Sequence, residues 1–538
     1  MPRALTVRLH GRRLTKTFVA TAALAFCLSQ YFLPAQILRV TTHLVEVRVI
    51  AQNKQGDPVA NLIQDDFLVL DERRPQQISF FRTETSQVAP PVPTRLPPNV
   101  FSNRIEAAPA GATVLLFDGL NTRLPDQVYA RQQILKFLQG LNAKERVALY
   151  VMGRGPRVLQ DFTSDSSALV NALAAYKGGT SASLEAPLYD PAVTGPAHWE
   201  AWLGELSFGL YDYYGDDRAF RTVRALIAIA NHLEPLPGRK NLIWISGSFP
   251  ISLDRGSVPS PRRIAIRERQ AWPEVERAVR ALNKANLAIY PVDARGLIAA
   301  QEYVGPLTKP ELRNPDTSEF VNMKVLAERT GGRAFYNNND LNTALRRAVD
   351  DSRLIYVLGY YPSHNDWKGK FHKIEVQVKR PGVELNYRRG YFAQPDEPAD
   401  SWYREQVLDS ALWSPVDATA LRLTVAVTPA AAGGLDLALQ LGPRDIAFQR
   451  KQDKWVCDLD VWLVQLDQKE RHLRTDARSN KLTLDQVTYD RVIQANGLMV
   501  IEHVYPAPEA LLLRILVRDI ASGALGSLTV PLRRFTQK

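Results

Sequence analysis

The sequence predicts an α/β protein in which a doubly wound, mostly parallel sheet is flanked by β-sandwich-like units. Between residues 112 and 352, short apolar runs alternate with helix-length stretches, which is typical of buried parallel strands and their covering helices. Before and after this region the apolar residues recur with a period of two, which indicates strands with one exposed face. A chain of 538 residues is long enough for about three domains.

The first 36 residues are typical of a targeting segment. Basic residues precede an apolar stretch from Phe18 to Leu33, and Pro34-Ala35-Gln36 resembles a cleavage region. The stretch also has about the length that spans a bilayer, so residues 1–36 are predicted to be a signal peptide or an N-terminal anchor. The basic side would stay in the cytoplasm, which predicts export to the periplasm or cell surface, either free or anchored to the inner membrane.

Two short segments with period-two patterns surround the α/β region. Residues 38–86 are predicted to form a small β unit, and residues 353–392 a β-hairpin region. The simplest arrangement joins them into one unit, with the α/β domain inserted between them. Residues 87–111 contain six prolines and are predicted to be an extended linker.

Residues 112–352 carry the repeated strand–helix units of a Rossmann-like domain. The predicted strands are 113–117, 147–151, 241–245, 287–292 and 333–336. The predicted helices are 125–138, 165–176, 220–233, 273–284, 318–329 and 340–351. Ligands of such sheets bind at the carboxyl ends of the strands, near the point where the strand order reverses.

Residues 400–538 return to alternating strands and are predicted to form a C-terminal β-rich domain. Several turns between the strands favour an antiparallel sandwich, interrupted by one helix near residues 483–496. Only two cysteines occur, at positions 27 and 457, so the predicted domains do not depend on disulfides.

Oxygen-bearing side chains follow the first strand of the α/β domain, in the loop Asp118-Gly119-Leu120-Asn121-Thr122. The loop follows the carboxyl end of a predicted parallel strand, where ligands of such sheets bind, so it is a candidate binding site. The alternative is that Asp118 and Thr122 cap the following helix and satisfy loop amides.

The loop resembles the metal-ion loop of von Willebrand factor type A domains, where Asp-x-Ser-x-Ser stands at this position. In that family a Thr from a Gly-Gly-Thr-like turn and an Asp from a Thr-Asp-Gly turn complete the site. The resemblance implies Mg²⁺ or another divalent cation held by Asp118, Thr122 and Thr180. Leu120 and Gly247 replace two of the five ligands, so the implied site is degenerate. The absence of any cofactor is therefore favoured. Asp254 is the alternative residue that could supply the missing carboxylate.

A wider set of motifs resembles the type A-related proteins of acidobacteria. They include Asn241-Leu242-Ile243-Trp244-Ile245-Ser246-Gly247, Tyr290-Pro291-Val292-Asp293-Ala294-Arg295-Gly296 and Arg389-Gly390-Tyr391. The resemblance extends over about residues 40–395 and implies export and a type A fold, but no particular reaction. Asp293 and Arg295 are expected to form an ion pair that shapes their loop.

An acidic and aromatic stretch, residues 181–217, follows the Gly-Gly-Thr turn; we call it the acidic insert. It has seven acidic residues and no Lys or Arg, although the whole chain carries a net charge of +11. Long connections of this kind are often functional, and Trp and Tyr are frequent interface anchors. The predicted partner-binding residues are Trp199, Trp202, Tyr211, Tyr213 and Tyr214. The alternative is a lid that packs its aromatic residues on its own domain.

These observations predict an exported binding, adhesion or scaffold protein that captures a protein partner at the top of its sheet. Basic residues are scattered, so no nucleic-acid partner is expected, and a membrane is contacted only through an uncleaved N-terminus. No nucleophile–base motif or zinc motif occurs, so no enzyme is predicted. The alternatives are an envelope hydrolase that uses the acidic residues of the rim, and a structural envelope component without ion binding. His232 and His364 have no sequence neighbour at ligand spacing and are expected at the surface or in capping roles.

Overall fold

The computed structural model describes residues 43–85, 96–105, 112–142, 145–153, 155–178, 217–249, 275–296, 315–364, 366–393, 408, 411–414, 416–430, 433–494 and 497–536. These residues form a mixed α/β chain with five sheets, one of which contains parallel strands. The sequence prediction of an α/β protein is confirmed at this level.

The strands are numbered along the chain. They are β1 (Val45–Gln52), β2 (Phe67–Asp71), β3 (Arg74–Gln76), β4 (Ile78–Thr85), β5 (Val100–Ser102), β6 (Thr113–Asp118), β7 (Val147–Met152), β8 (Pro156–Thr163), β9 (Lys240–Ser246), β10 (Leu287–Asp293), β11 (Leu354–Tyr360), β12 (Phe371–Val378), β13 (Glu384–Asn386), β14 (Gly390–Phe392), β15 (Leu423–Pro429), β16 (Leu435–Leu441), β17 (Gln449–Lys451), β18 (Lys454–Leu466), β19 (His472–Leu484), β20 (Leu498–Val504), β21 (Leu512–Asp519) and β22 (Leu525–Pro531).

The helices are numbered in the same way. They are α1 (Leu124–Gln139), α2 (Ser166–Ala175), α3 (217–233), α4 (275–284), α5 (Pro315–Thr330), α6 (Leu341–Asp350), α7 (Gln486–Gln494) and α8 (Arg533–Thr536). None of the helices in the described part of the chain is long and apolar enough to cross a membrane. The predicted signal peptide or anchor, residues 1–36, lies outside the described residues.

The central sheet has the strand order β10-β9-β6-β7-β8. Strands β6, β7, β9 and β10 are parallel, and β8 pairs antiparallel at one edge. Every residue of the four parallel strands is buried, because helices cover both faces of the sheet. Alternate side chains contribute to two cores, one with helices α3, α4 and α5 and the other with α1, α2 and α6.

Two details of the central sheet differ from the sequence prediction. Strand β8 was not predicted, because most of its residues are partly exposed and no continuous apolar run marks it. The predicted strand at 333–336 is reduced to a single parallel bridge between Val292 and Phe335. The short apolar run at 333–336 therefore forms one β-bridge rather than a strand.

Strands from before and after the α/β domain share two further sheets, with the orders β13-β1-β11-β4 and β14-β12-β2-β3. Strand β11 lies between β1 and β4 and pairs antiparallel with both. In the other sheet β12 pairs antiparallel with β2. The two sheets enclose one apolar core, so residues 45–85 and 354–392 form one β sandwich, which we call the split β unit.

A buried hydrogen-bond network joins the split β unit to the α/β domain. The Asp351 carboxylate accepts a hydrogen bond from Gln52 Nε2 (2.7 Å) and another from the Tyr290 hydroxyl (3.1 Å). Arg333 donates to Gln52 Oε1 (2.9 Å). Because Asp351 is only 3% exposed, these contacts compensate a carboxylate that would otherwise be costly to bury.

The C-terminal strands form two antiparallel sheets around a common core. One has the order β20-β16-β15-β5, and the other has β17-β18-β21-β22 with β19 added on β18. Strand β5 lies within residues 87–111, so the prediction of a linker is wrong for residues 100–102. Three residues among prolines are too few to show a period of two, and pairing with β15 is what orders them.

His232, on α3, lies where the α/β domain meets the C-terminal region, and it is 8% exposed. Its Nδ1 is 2.6 Å from the carbonyl oxygen of Asp417, and its own carbonyl accepts a hydrogen bond from the Thr419 hydroxyl (2.6 Å). The expectation that His232 lies at the surface is therefore wrong. Burial lowers the pKa of His232 to about 4.

We expect acid to weaken this contact. A histidine whose pKa is depressed by folding contributes stability above its unfolded pKa of about 6.5, and this stability is lost as the pH falls towards about 4. Between about pH 7 and about pH 5 the free energy of unfolding should fall by about 2 kcal/mol from this group alone. Urea unfolding at both pH values should show a smaller fall for His232→Gln, whereas the exposed control His503→Gln should match the wild type. An unchanged fall in His232→Gln would contradict the assignment.

Candidate functional site

The candidate site lies where the order of the central sheet reverses. The chain runs from β6 outward through β7 and β8, and then returns to β9 on the other side of β6. Loops leave in opposite directions at such a point, which opens a crevice at the carboxyl ends of the strands. Asp118 ends β6 and Ser246 ends β9, so both residues stand at this crevice.

Asp118 is completely buried, and its carboxylate is surrounded by hydrogen-bond donors. Oδ1 accepts the backbone N–H of Asn121 (3.0 Å). Oδ2 accepts Asn121 Nδ2 and Trp244 Nε1, both at 2.9 Å, and lies 2.9 Å from Ser246 Oγ. Both carboxylate oxygens are therefore engaged within the protein.

Burial raises the pKa of Asp118, although the hydrogen bonds from Asn121, Trp244 and Ser246 act in the opposite direction. The Ser246 hydroxyl is also 2.7 Å from the carbonyl oxygen of Ser248, and its single proton can serve only one acceptor at a time. When Ser246 donates to the Ser248 carbonyl, its contact of 2.9 Å with Asp118 Oδ2 can be a hydrogen bond only if Asp118 carries the proton. Burial favours the neutral form of Asp118, whereas the N–H donors of Asn121 and Trp244 favour its anion.

Thr122 and Gly247 close the second part of the loop. Gly247 N–H donates to Thr122 Oγ1 (2.9 Å), and Gln127 Nε2 donates to the Thr122 carbonyl (2.7 Å). The residue that caps α1 is Arg123, without a side-chain hydrogen bond. The alternative is therefore wrong about the helix cap but correct about loop amides, because Asp118 accepts the Asn121 N–H and Thr122 accepts the Gly247 N–H.

Asn121 links the loop to the helix that follows the acidic insert. Its Nδ2 donates both to Asp118 Oδ2 and to Thr222 Oγ1 on α3, each at 2.9 Å. Asn121 is 1% exposed and Thr222 is fully buried. The amide of Asn121 thus bridges Asp118 and Thr222.

These residues do not fit a divalent cation. The oxygens of Asp118 already accept donors, and Leu120 packs into the apolar core instead of offering a ligand. A Cβ at Gly247 would lie 3.3 Å from two atoms of Thr122, so an acidic side chain has little room there. Asn121 Oδ1 is the one buried loop oxygen without a partner in the described structure, and one neutral oxygen is a poor cation site.

Described residues before and after the acidic insert lie beside this loop. A Cβ at Gly178 would lie 2.7 Å from Gln127 Oε1, so the chain enters the insert next to α1. It leaves the insert into α3, where Thr222 contacts Asn121. The other predicted site residues lie outside the described residues: Thr180, Trp199, Trp202, Tyr211, Tyr213, Tyr214 and Asp254.

The expected ion pair after β10 is confirmed. Arg295 donates to both carboxylate oxygens of Asp293, at 2.9 Å each, and its backbone N–H donates to Oδ1 (3.0 Å). Asp293 is 1% exposed, so this pair shapes the loop at the same sheet edge.

Sequence reasoning missed a second polar cluster, in the split β unit. Asp71, His364 and His372 each place a ligand atom within 4.8 Å of the others. The expectation that His364 has no partner at ligand spacing is therefore wrong. One signal was readable in the sequence: Asp71 and His372 occupy inward positions of the alternating patterns of β2 and β12.

No protein-family model matches the chain, and no curated protein does. Among solved structures, an aerotolerance-related membrane protein from Bacteroides fragilis NCTC 9343 is 12% identical, with 45% of this chain and 99% of that chain covered and a TM-score of 0.24. BatB from Bacteroides thetaiotaomicron is 14% identical, with coverages of 45% and 98% and a TM-score of 0.25. A von Willebrand factor type A protein from Catenulispora acidiphila is 10% identical, with coverages of 86% and 77% and a TM-score of 0.23. TM-scores this low define neither fold nor function for this chain.

We predict that Asp118→Ala destabilises the protein by about 2–4 kcal/mol, because the buried Trp244 and Ser246 donors lose their acceptor. Urea unfolding measures this loss. The matched control is Asp165→Ala, which removes only the helix cap of α2 and should cost about 1 kcal/mol. Adding MgCl₂, CaCl₂ or MnCl₂ should leave the wild-type stability unchanged. A rise in stability with one of these salts that Asp118→Ala abolishes would show that the loop binds a cation.

Proposed function

We propose that this chain is an exported binding or scaffold protein whose type A-like domain captures a protein partner at the carboxyl edge of its sheet, without a metal ion. The observation that carries the proposal is the closed Asp118 loop, with described residues before and after the acidic insert packed beside it. Export is supported by the basic and apolar pattern of residues 1–36.

The strand order supports a doubly wound domain. When the five strands are numbered along the chain, the sheet has the order 3-2-1-4-5, with the reversal beside the first strand. This matches the first five positions of the doubly wound order, in which the ligand crevice lies at the reversal. The motifs that resemble type A domains lie at the same edge, at Asp118 and Ser246.

The composition of the acidic insert supports a protein as the ligand. Its five Trp and Tyr residues named above are of the kind that anchors interfaces. The insert has seven acidic residues and contains no Lys or Arg, although Asp217 pairs with Arg221 of α3, and this composition favours a partner with a basic surface. Gly178, before the insert, lies next to α1, and Thr222, after it, contacts Asn121 at the crevice, so the insert is covalently attached near the edge where ligands of such sheets bind.

The hydrogen bonds of the loop support independence from a metal ion. A partner carboxylate can complete the coordination of a bound cation only where the protein leaves ligand oxygens free. Asp118 and Thr122 instead accept N–H donors from Asn121, Trp244 and Gly247. The closed loop would serve as a rigid base for the insert, because it joins β6, β9 and α3.

The test is capture from an envelope extract by the immobilised full chain, in EDTA and in MgCl₂. We expect the wild type to retain a partner equally in both, and a variant with Trp199, Trp202, Tyr211, Tyr213 and Tyr214 changed to Ala to retain at least about tenfold less. The control changes three exposed aromatic residues elsewhere to Ala: Tyr361, Trp413 and Tyr505.

Two results would overturn the proposal. Capture that requires MgCl₂ would contradict the closed loop. Equal capture by the wild type and the insert variant would exclude the insert as the binding surface. Failure of the wild type to retain any protein would favour a structural envelope component.

A further inference from the structure

A polar cluster lies at one rim of the split β unit, away from the α/β domain edge. Asp71 is the last residue of β2, and His372 is the second residue of β12. Asp71 pairs with Ile374 in the antiparallel ladder, so His372 is its diagonal neighbour on the inward face. His364 lies in the connection between β11 and β12, which crosses the same rim.

The Asp71 carboxylate is only half compensated. Its Oδ2 accepts hydrogen bonds from the hydroxyls of Tyr360 and Tyr391, each at 2.9 Å. Its Oδ1 is buried and has no hydrogen-bond partner among the described residues, and Asp71 is 2% exposed. The two tyrosines therefore fix the carboxylate with one free oxygen turned away from them.

His372 faces this free oxygen. Its Nδ1 lies 3.6 Å from Asp71 Oδ1, which is too long for a hydrogen bond. This nitrogen is also buried and without a partner in the described part of the chain, and His372 is 7% exposed. Two buried, unpartnered polar atoms that face each other are rare, because each loses its hydration without compensation.

His364 completes the cluster from the solvent side. Its ring stacks on His372 with the centroids 4.0 Å apart, and its Nε2 is 4.0 Å from Asp71 Oδ2. The side chain of His364 is 16% exposed, whereas that of Asp71 is 1% exposed. An ion could therefore reach the cluster past His364.

We propose that Asp71, His364 and His372 bind one divalent transition-metal ion of the zinc type, with a fourth position open to solvent. Two imidazole nitrogens and one carboxylate form a ligand set that zinc accepts in tetrahedral geometry, whereas Mg²⁺ and Ca²⁺ prefer oxygen alone. Bonds of about 2.0–2.2 Å place tetrahedral ligand atoms about 3.4 Å apart. The separation of 3.6 Å between Asp71 Oδ1 and His372 Nδ1 is already close to this value.

The surroundings of the cluster suit a bound ion, at the cost of one rearrangement. Tyr360 and Tyr391 hold Asp71 Oδ2, as outer-shell donors commonly hold a ligating carboxylate. Without an ion, Asp366 N–H donates to His364 Nδ1 (3.1 Å), so the His364 proton resides on Nε2 and faces the Tyr391 hydroxyl (2.6 Å). Binding through Nε2 requires the other neutral tautomer, with the proton on Nδ1, so the Asp366 N–H then loses this acceptor.

The ion would join parts of the chain that the α/β domain separates. Asp71 belongs to the first segment of the split β unit, and His364 and His372 belong to the second. The site would therefore stabilise the split β unit.

The test uses the full chain without an affinity tag, stripped with EDTA and titrated with ZnCl₂ and CoCl₂. We expect one ion per chain and the visible absorption of four-coordinate Co²⁺. His364→Gln and His372→Gln should each weaken binding at least about tenfold. The control, which changes the exposed histidines His472 and His503 to Gln, should bind like the wild type.

Absence of Co²⁺ absorption in the wild type, or binding that survives both ligand substitutions, would overturn the proposal. His364 is partly exposed and lies in a connection, so His364→Gln should fold even if His372→Gln does not. Thermal unfolding gives a second readout: ZnCl₂ should raise the wild-type midpoint and EDTA should reverse the rise, and an unchanged midpoint would count against the site.

Discussion

The position of β11 between β1 and β4 is the constraint on which the rest of the structure depends. A strand that follows the α/β domain completes a sheet begun before it, so the two ends of that domain are held side by side. The same closure brings Gln52 to Asp351 and so fixes the α/β domain on the split β unit. It also brings Tyr360 to Asp71. Closing so long a connection is entropically costly, and the large apolar core of the split β unit offsets that cost.

Two buried carboxylates are compensated to different degrees. Asp118 stands where a type A domain would hold its cation, yet backbone, amide, indole and hydroxyl groups surround both of its oxygens. Asp71 has no motif around it in the sequence, yet it keeps one oxygen unpartnered within the described structure, opposite His372. Burial of an acid demands donors or a cation. The motif alone points to Asp118, whereas the carboxylate oxygen without a hydrogen-bond partner in the described structure belongs to Asp71.

The sequence predicts those features that depend on neighbouring residues. The four parallel strands are readable because burial on both faces requires continuous apolar runs, and Leu120 and Gly247 are readable as departures from the type A pattern. Strand β5 is not readable, because its pairing with β15 is what makes it a strand. Nor is the closure of the Asp118 loop, which depends on Thr222 and Trp244 arriving from other elements. The sequence shows that Asp71 and His372 each occupy an inward strand position. It does not show that the two residues are neighbours, because this depends on the pairing of β2 with β12.

Anomalous X-ray scattering from crystals soaked in MnCl₂ or ZnCl₂ tests most directly which of the two buried carboxylates, Asp71 or Asp118, binds a cation. The expected result is a zinc peak bonded to Asp71, His364 and His372, and no peak from either ion at bonding distance from Asp118. A peak bonded to Asp118, with Asn121 turned away from the carboxylate, would contradict the account.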